Sequence, residues 1–253
     1  RVRDMKLKAS LVVADMATPK EEWLVDNSKI VHGSPSEMLQ TGFDLVVMQF
    51  AMHYSFARGT DAVSSTLRNM SALLRSNQSM ALVTVIDAAE LRRRTRQRLA
   101  ELEEDHAGLV SAVDSEQSPS EIATKFFSSE EQIVFGNSVY TVKFEVQPAV
   151  KVARGYNEAD LRYSFTLGDA VVDCEEAVVP QDLLVESGAA EGLRVVRQEN
   201  FASFVQKGIE SSDALARLLQ DMKVVGPRAA RSLSEDEWQV VSLYKALLMD
   251  KAS

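Results

Sequence analysis

The run Phe43-Asp44-Leu45-Val46-Val47-Met48-Gln49-Phe50-Ala51-Met52-His53-Tyr54-Ser55-Phe56 constrains this chain more than any other. Four apolar residues in a row after Asp44 fit a short strand buried on both faces, as in a parallel sheet. Gln49, His53 and Tyr54 follow just past the carboxyl end of that strand. In open α/β sheets, ligands bind at that end. Taken singly, the three residues read as a turn cap and two half-buried side chains. Taken together, they make a polar, aromatic lip on a buried strand.

The rest of the chain is compatible with such a sheet. It has 253 residues, 45% hydrophobic and 26% charged, enough for one α/β domain of ordinary size. No apolar run is long enough to predict a transmembrane helix, so no membrane partner is expected. Residues Arg1 to Lys6 do not read as the apolar core of a signal peptide. The single cysteine, Cys174, excludes an internal disulfide and argues against a structural zinc site. An intracellular, reducing compartment is expected, nuclear or cytoplasmic. The net charge of −9 argues against broad nonspecific nucleic-acid binding but leaves room for recognition of one nucleotide in a pocket. Arg92, Arg93, Arg94, Arg96 and Arg98 are read as one basic helix face near the site, or equally as a solvated surface.

Along the chain, residues 1–6 read as the end of a helix and Lys8–Asp15 as a short strand. Gly33-Ser34-Pro35-Ser36 punctuates the approach to the strand at Phe43–Met48. Val63, Leu67, Met70, Leu73 and Leu74 have helical spacing, Ser79–Ile86 reads as a third buried strand, and Ala88 to about His106 as a long helix. Residues 107–134 read as an insertion or loop region, with Ser118 and Glu121 spaced for a capping box. Ser138–Phe144 and Arg162–Leu167 alternate and read as an antiparallel pair joined by a long loop holding Pro148 and Gly155. Pro180–Ala190 reads as a helix, Leu193–Arg197 as a strand, and Asn200 as the start of a helix. Leu215–Val224 reads as the end of a helix before Gly226-Pro227. Ser234 and Glu237 form a second possible capping box, leading into an apolar run to Met249.

Five separated segments, in order, resemble the eukaryotic-type mRNA cap (guanine-N7) methyltransferases. The first is the Phe43–Phe56 run, of the form F-D-x-x-x-x-Q-F then x-x-H-Y-x-F. The others are Phe135-Gly136-Asn137-Ser138-Val139-Tyr140-Thr141-Val142-Lys143-Phe144, Tyr163-Ser164-Phe165, Val172-Asp173-Cys174-Glu175-Glu176, and Glu237-Trp238 with Ser242-Leu243-Tyr244. The resemblance implies an α/β fold, a Rossmann-like class I S-adenosylmethionine-dependent methyltransferase sheet flanked by helices, with antiparallel strands toward the C-terminus. It also implies a single methyltransferase domain over 1–253, with residues 138–192 supplying cap-binding strands and a helix. No G-x-G-x-G loop occurs, so the first two strands of such a domain are expected outside this chain.

The family's residues map onto this sequence one by one. The resemblance places Asp15 and Met16 at the adenine of the methyl donor, and Gln49 and Tyr54 along the donor site. It places Phe50, His53, Tyr54, Tyr163, Phe165, Glu176 and Tyr244 around the cap guanine. The implied cofactor is S-adenosylmethionine, leaving as S-adenosylhomocysteine, with no metal. The implied partner is 5′ GpppN-capped RNA, with an RNA guanylyltransferase or triphosphatase as a fused domain or partner. Two positions depart from the pattern. Thr84-Val85-Ile86-Asp87 replaces a Thr-x-Pro-Asn-like turn, so a proline contact to the pocket wall is lost at Ile86 and a carboxylate appears at Asp87. Glu175 replaces the proline before the family glutamate.

These residue types suit the reaction. Guanine N7 already carries an in-plane lone pair and a sulfonium methyl is already activated, so no general base is needed, only alignment. A carboxylate at Glu176 accepts from guanine N1–H and the 2-amino group, a pair adenine lacks. The alternative is a noncatalytic methyltransferase-like module or subunit of a capping complex, suggested by the missing glycine loop and the changed turn at Ile86-Asp87.

Overall fold

The computed structural model describes residues 11–12, 14–23, 30–32, 39–226 and 232–252. The expected helix over residues 1–6 and the turn at Gly33–Ser36 lie outside them, as does most of the first half of the expected Lys8–Asp15 strand. In chain order the elements begin with strands β1 (Leu11–Val12), β2 (Ile30–His32) and β3 (Leu45–Gln49), then helices α1 (Met52–Ala57) and α2 (Thr60–Leu73). Strand β4 (Met80–Ile86) leads to α3 (Ala88–Glu101), α4 (Leu109–Val113) and α5 (Pro119–Phe126). Then come β5 (Gln132–Gly136), β6 (Tyr140–Glu145), α6 (Val146–Arg154), β7 (Arg162–Leu167) and β8 (Val171–Ala177). The described chain closes with α7 (Gln181–Ala190), β9 (Leu193–Asn200), α8 (Phe201–Ser211), α9 (Asp213–Asp221), α10 (Glu235–Val241) and β10 (Tyr244–Lys251).

The expected α/β architecture is present. A mixed sheet has the order β3-β4-β10-β9, with β3 and β4 parallel and β10 antiparallel to both its neighbours. A second sheet, β5-β6-β7-β8, is antiparallel throughout, and β1 pairs with β2 separately. Strand β4 is shared by two cores because successive side chains point to opposite faces. Val83 and Val85 face one core with Leu67, Met70, Met52 and Phe56; Ile86 faces the other with Leu91, Leu99, Val142 and Phe144. In the antiparallel sheet Tyr140, Val142 and Phe144 alternate inward, and Tyr163 and Phe165 continue that inner face on β7.

Four expectations are corrected. The link between β6 and β7 is not a loop: Val146–Arg154 is helical. Pro148 is tolerated in the first turn, where backbone N–H groups have no intrahelical partner. Gly155, at φ +78°, ends the helix in the left-handed conformation. Val146, Ala149, Val150 and Ala153 supply a buried stripe that the proline and glycine obscured. Second, β3 is not covered on both faces: Leu45 is 54% and Val47 47% exposed. Third, α3 ends at Glu101 and tightens into a 3-10 turn at Leu102–Glu104. Fourth, besides the short helix that the Ser118/Glu121 spacing announced, residues 107–134 hold α4 and the start of β5, with Leu109, Ala112, Val113, Ile122 and Ile133 buried. Both capping boxes form, at Ser118/Glu121 and Ser234/Glu237.

The arginines of α3 do not share one face. Arg92 donates to the Ala153 carbonyl, Arg96 pairs with Asp114 and Arg98 with Glu101. Arg94 is buried, where it pairs with Glu90 and donates to the Tyr140 hydroxyl, the Gln239 carbonyl and the Ser242 hydroxyl. It therefore ties α3, the antiparallel sheet and α10 together. Arg93 also binds Glu90, but at the surface. Removing one member of a buried, hydrogen-bonded charge set is costly, whereas exposed pairs contribute little. R94M is expected to lower unfolding free energy by about 3 kcal/mol and R93M by less than about 1 kcal/mol, read from urea denaturation midpoints.

Candidate functional site

The carboxyl ends of β3 and β4 carry the lip anticipated from the sequence. Phe50 follows β3 with φ +50°, a left-handed backbone that bulky residues rarely adopt. Its N–H is held by the Thr84 carbonyl at 3.1 Å and the Thr84 hydroxyl at 3.0 Å, which over-determine the bend. Such strain persists only where the surroundings hold it, and it gathers at functional sites. The bend turns the Phe50 ring toward Tyr244 at the start of β10, edge to face at 4.9 Å, and toward Phe201 at 6.3 Å. Helix α1 starts immediately after, so His53 and Tyr54 lie in its first turn.

The antiparallel sheet supplies the opposite wall. Tyr163 on β7 pairs directly with Glu176 on β8, so both side chains project from the same face. The Tyr163 hydroxyl donates to Glu176 Oε2 at 2.6 Å. His53 Nε2 lies 3.7 Å from Glu176 Oε1 and has no hydrogen-bond partner among the described residues. The His53 ring packs against Tyr54 at 4.1 Å, and the Tyr54 hydroxyl approaches Cys174 Sγ at 4.0 Å. Arg162 anchors this wall to α1 by donating to the Ala57 carbonyl at 2.6 Å.

Burial sets the protonation states. Desolvation lowers the His53 pKa to about 4, so the imidazole is neutral at pH 7. Burial raises the Glu176 pKa, and the hydrogen bond from Tyr163 opposes that rise. With a neutral imidazole and a separation beyond hydrogen-bond range, His53 and Glu176 are not an ion pair at neutral pH. Tyr244 and Tyr54 are both pushed up, first by burial.

The structure thus brings Phe50, His53, Tyr54, Tyr163, Glu176 and Tyr244 into one connected group. Phe165 lies deeper, buried in the core beneath the sheet. Gln49 is exposed at the end of β3, opposite Thr84. Asp15 reaches the group only through α1: its carboxylate accepts from Ala17 N at 2.9 Å and from Arg58 at 2.5 Å, and Arg58 directly follows that helix. The Ala17 and Arg58 bonds lower the Asp15 pKa, while its side chain keeps about half its surface open, 48%. Met16 packs partly against the second core, and its carbonyl accepts from Asn69 at 2.7 Å. Among the described residues, no group of three or more His, Cys, Asp or Glu side chains is placed to hold a metal ion.

Asp87, the carboxylate that appears in the changed turn, is committed to structure. It caps α3 through Ala89 N and pairs at 3.2 Å with Lys245, which is buried. The neighbouring Glu175 pairs with Arg162 on the outer face of its sheet. Phe201 was missed in the sequence. The available signal was an aromatic residue directly after Asn200, the N-cap of α8.

A model of the mRNA (guanine-N(7))-methyltransferase domain matches residues 112–252. The chain is 29% identical over 211 residues to mRNA cap guanine-N(7) methyltransferase 1 of Oryza sativa subsp. japonica, covering 83% of this chain and 47% of that protein. It is 28% identical over 218 residues to the mRNA cap guanine-N(7) methyltransferase of Cryptococcus neoformans var. neoformans serotype D (strain JEC21), covering 86% of this chain and 29% of that protein. It is 26% identical over 211 residues to mRNA cap guanine-N(7) methyltransferase 1 of Arabidopsis thaliana, covering 83% and 47%. The chain therefore spans about half, or less, of the length of these relatives.

The His53 shift has a measurable consequence. Its folded pKa lies below its unfolded value, so the folded state binds fewer protons and stability is lost as pH falls from about 6.5 through about 4. The raised Glu176 pKa acts in the opposite direction, so a variant is needed to isolate the histidine. The wild-type loss of stability between pH 7 and pH 4 is expected to exceed that of H53Q by up to about 3 kcal/mol, read from urea midpoints at the two pH values.

Proposed function

Because the chain belongs to the mRNA (guanine-N(7))-methyltransferase family, we propose that the protein transfers a methyl group from S-adenosylmethionine to N7 of the 5′ GpppN cap guanine. The observation that carries this reading is a buried carboxylate, Glu176, set among His53, Tyr54, Tyr163 and Tyr244 at the carboxyl ends of the parallel strands.

Guanine recognition needs acceptors for N1–H and the 2-amino group, and the oxygens of Glu176 provide them. Among the described residues, Tyr163 alone donates a hydrogen bond to this carboxylate, leaving lone pairs free. Adenine, without that donor pair, would leave the remaining acceptor sites of the buried carboxylate without donors, which is the basis of selection. A carboxylate here also favours the positive charge that grows on the ring as N7 is methylated. His53 suits the base edge because its buried Nε2 has no partner among the described residues and its ring is neutral. Tyr54, half exposed at 50%, and Phe50 and Tyr244 supply aromatic faces and edges for the bases, each worth roughly 1–3 kcal/mol by stacking. Phe165 supports this wall from beneath.

The residues also fit the donor. The half-open Asp15 carboxylate retains acceptor capacity for the adenine amino group, beside the Met16 backbone. Exposed Gln49 and Tyr54 border the same strand end. Bound there, S-adenosylmethionine supplies an already activated methyl group. The chain's own residues then hold N7 in line with it, and no side chain must remove a proton. We place the whole chain, residues 1–253, in one methyltransferase domain that acts on capped RNA, with the other capping activities as a fused domain or partner.

The test is transfer of labelled methyl to guanosine-capped RNA by the full-length protein. E176A is expected to lower kcat/KM by about 10²–10³. Wild-type activity in E176A would remove Glu176 from the site. No transfer by the wild-type protein would favour a noncatalytic binding module.

A further inference from the structure

Glu176 is an ionisable group on the apolar inner face of a sheet, 7% exposed. Tyr163 stands directly opposite on the adjacent strand and is itself 2% exposed. Its ring is packed against Phe144 at 5.4 Å, so the hydroxyl that donates to Glu176 Oε2 at 2.6 Å cannot swing away. That distance is typical of a hydroxyl donating to a carboxylate, among the stronger hydrogen bonds in proteins. The other oxygen, Oε1, is the one turned toward His53.

We propose that Tyr163 is a positioning residue for guanine selection, locking one oxygen of Glu176 so that the carboxylate keeps the plane that reads N1–H and the 2-amino group together. The ring is too deeply covered to touch a ligand, so Tyr163 acts through Glu176. This inference rests on the reading of the site as a cap-guanine pocket.

The surroundings make this bond matter. The groups facing Glu176 are Tyr163 from β7, His53 and Tyr54 from α1, Tyr244 from β10 and Cys174 from its own strand. None of these is a lysine or arginine, and the imidazole is neutral at pH 7. The Tyr163 hydroxyl is thus what offsets the cost of burying the charge. Without it the carboxylate protonates more readily, turning one acceptor oxygen into a donor that repels guanine N1–H.

The experiment compares wild-type, Y163F and E176Q full-length proteins, each first checked for cooperative melting. It measures kcat/KM across pH on guanosine-capped RNA and on inosine-capped RNA, which lacks the 2-amino group. For Y163F we expect roughly a 10- to 100-fold loss at neutral pH on the guanosine cap. The acid limb should move to higher pH, and the guanosine-over-inosine preference should narrow. Replacing Tyr163 with 3-fluorotyrosine, a stronger donor of the same shape, should move the limb to lower pH even if Y163F folds poorly. An equal loss at every pH and on both caps, or no loss, would overturn the positioning role. Wild-type activity in E176Q would instead overturn the guanine-pocket reading, whatever Y163F does.

Discussion

The structure turns on burial of the inner face of the antiparallel sheet. Tyr140, Val142, Phe144, Tyr163 and Phe165 are packed there against α3 and α6, and Glu176 shares the same face. An isolated carboxylate on such a surface would be expelled or neutralised. It remains because Tyr163 donates to it and because the sheet edge opens beside α1. The apolar packing that stabilises the fold therefore also creates the low-dielectric setting of the carboxylate on which the proposed base selection rests.

Two frameworks meet at this point. The mixed sheet bends the chain at Phe50 and sets α1 at its carboxyl edge; the antiparallel sheet brings β7 and β8 across it. Strand β4 joins them by sending Val85 into one core and Ile86 into the other. Arg94 and the Asp87–Lys245 pair fasten the same junction with buried charges that have partners on several elements. These groups lie near the site in sequence and chemistry, yet their geometry is architectural.

Local patterns carried much of the fold. The spacing of Val63, Leu67 and Met70 and the alternation of β6 and β7 each report a periodicity that burial requires. The capping boxes were equally legible, because their donors and acceptors are three residues apart. Helix α6 was hidden because Pro148 and Gly155 are punctuation signals that a first turn and a C-terminal cap can absorb. The exposed side chains of β3 were hidden because an apolar run records only that a strand tolerates cover, and Leu45 and Val47 lie at an edge.

The sequence by itself determined most of the strands and helices, the apolar faces of the periodic ones and the family, since these depend on residue type and short spacing. Only the tertiary structure decided which polar groups meet. Glu176 and His53 are 3.7 Å apart although far apart in the chain, and Asp87 faces Lys245 rather than a pocket. The arginines of α3 differ in burial and bonding although they are nearly consecutive: Arg94 is buried among α10 and the antiparallel sheet, whereas Arg93, Arg96 and Arg98 pair at the surface. Long-range pairings of this kind set solvent access, and solvent access sets charge: His53 is neutral because the sheet covers it, which no reading of its neighbours in sequence contains.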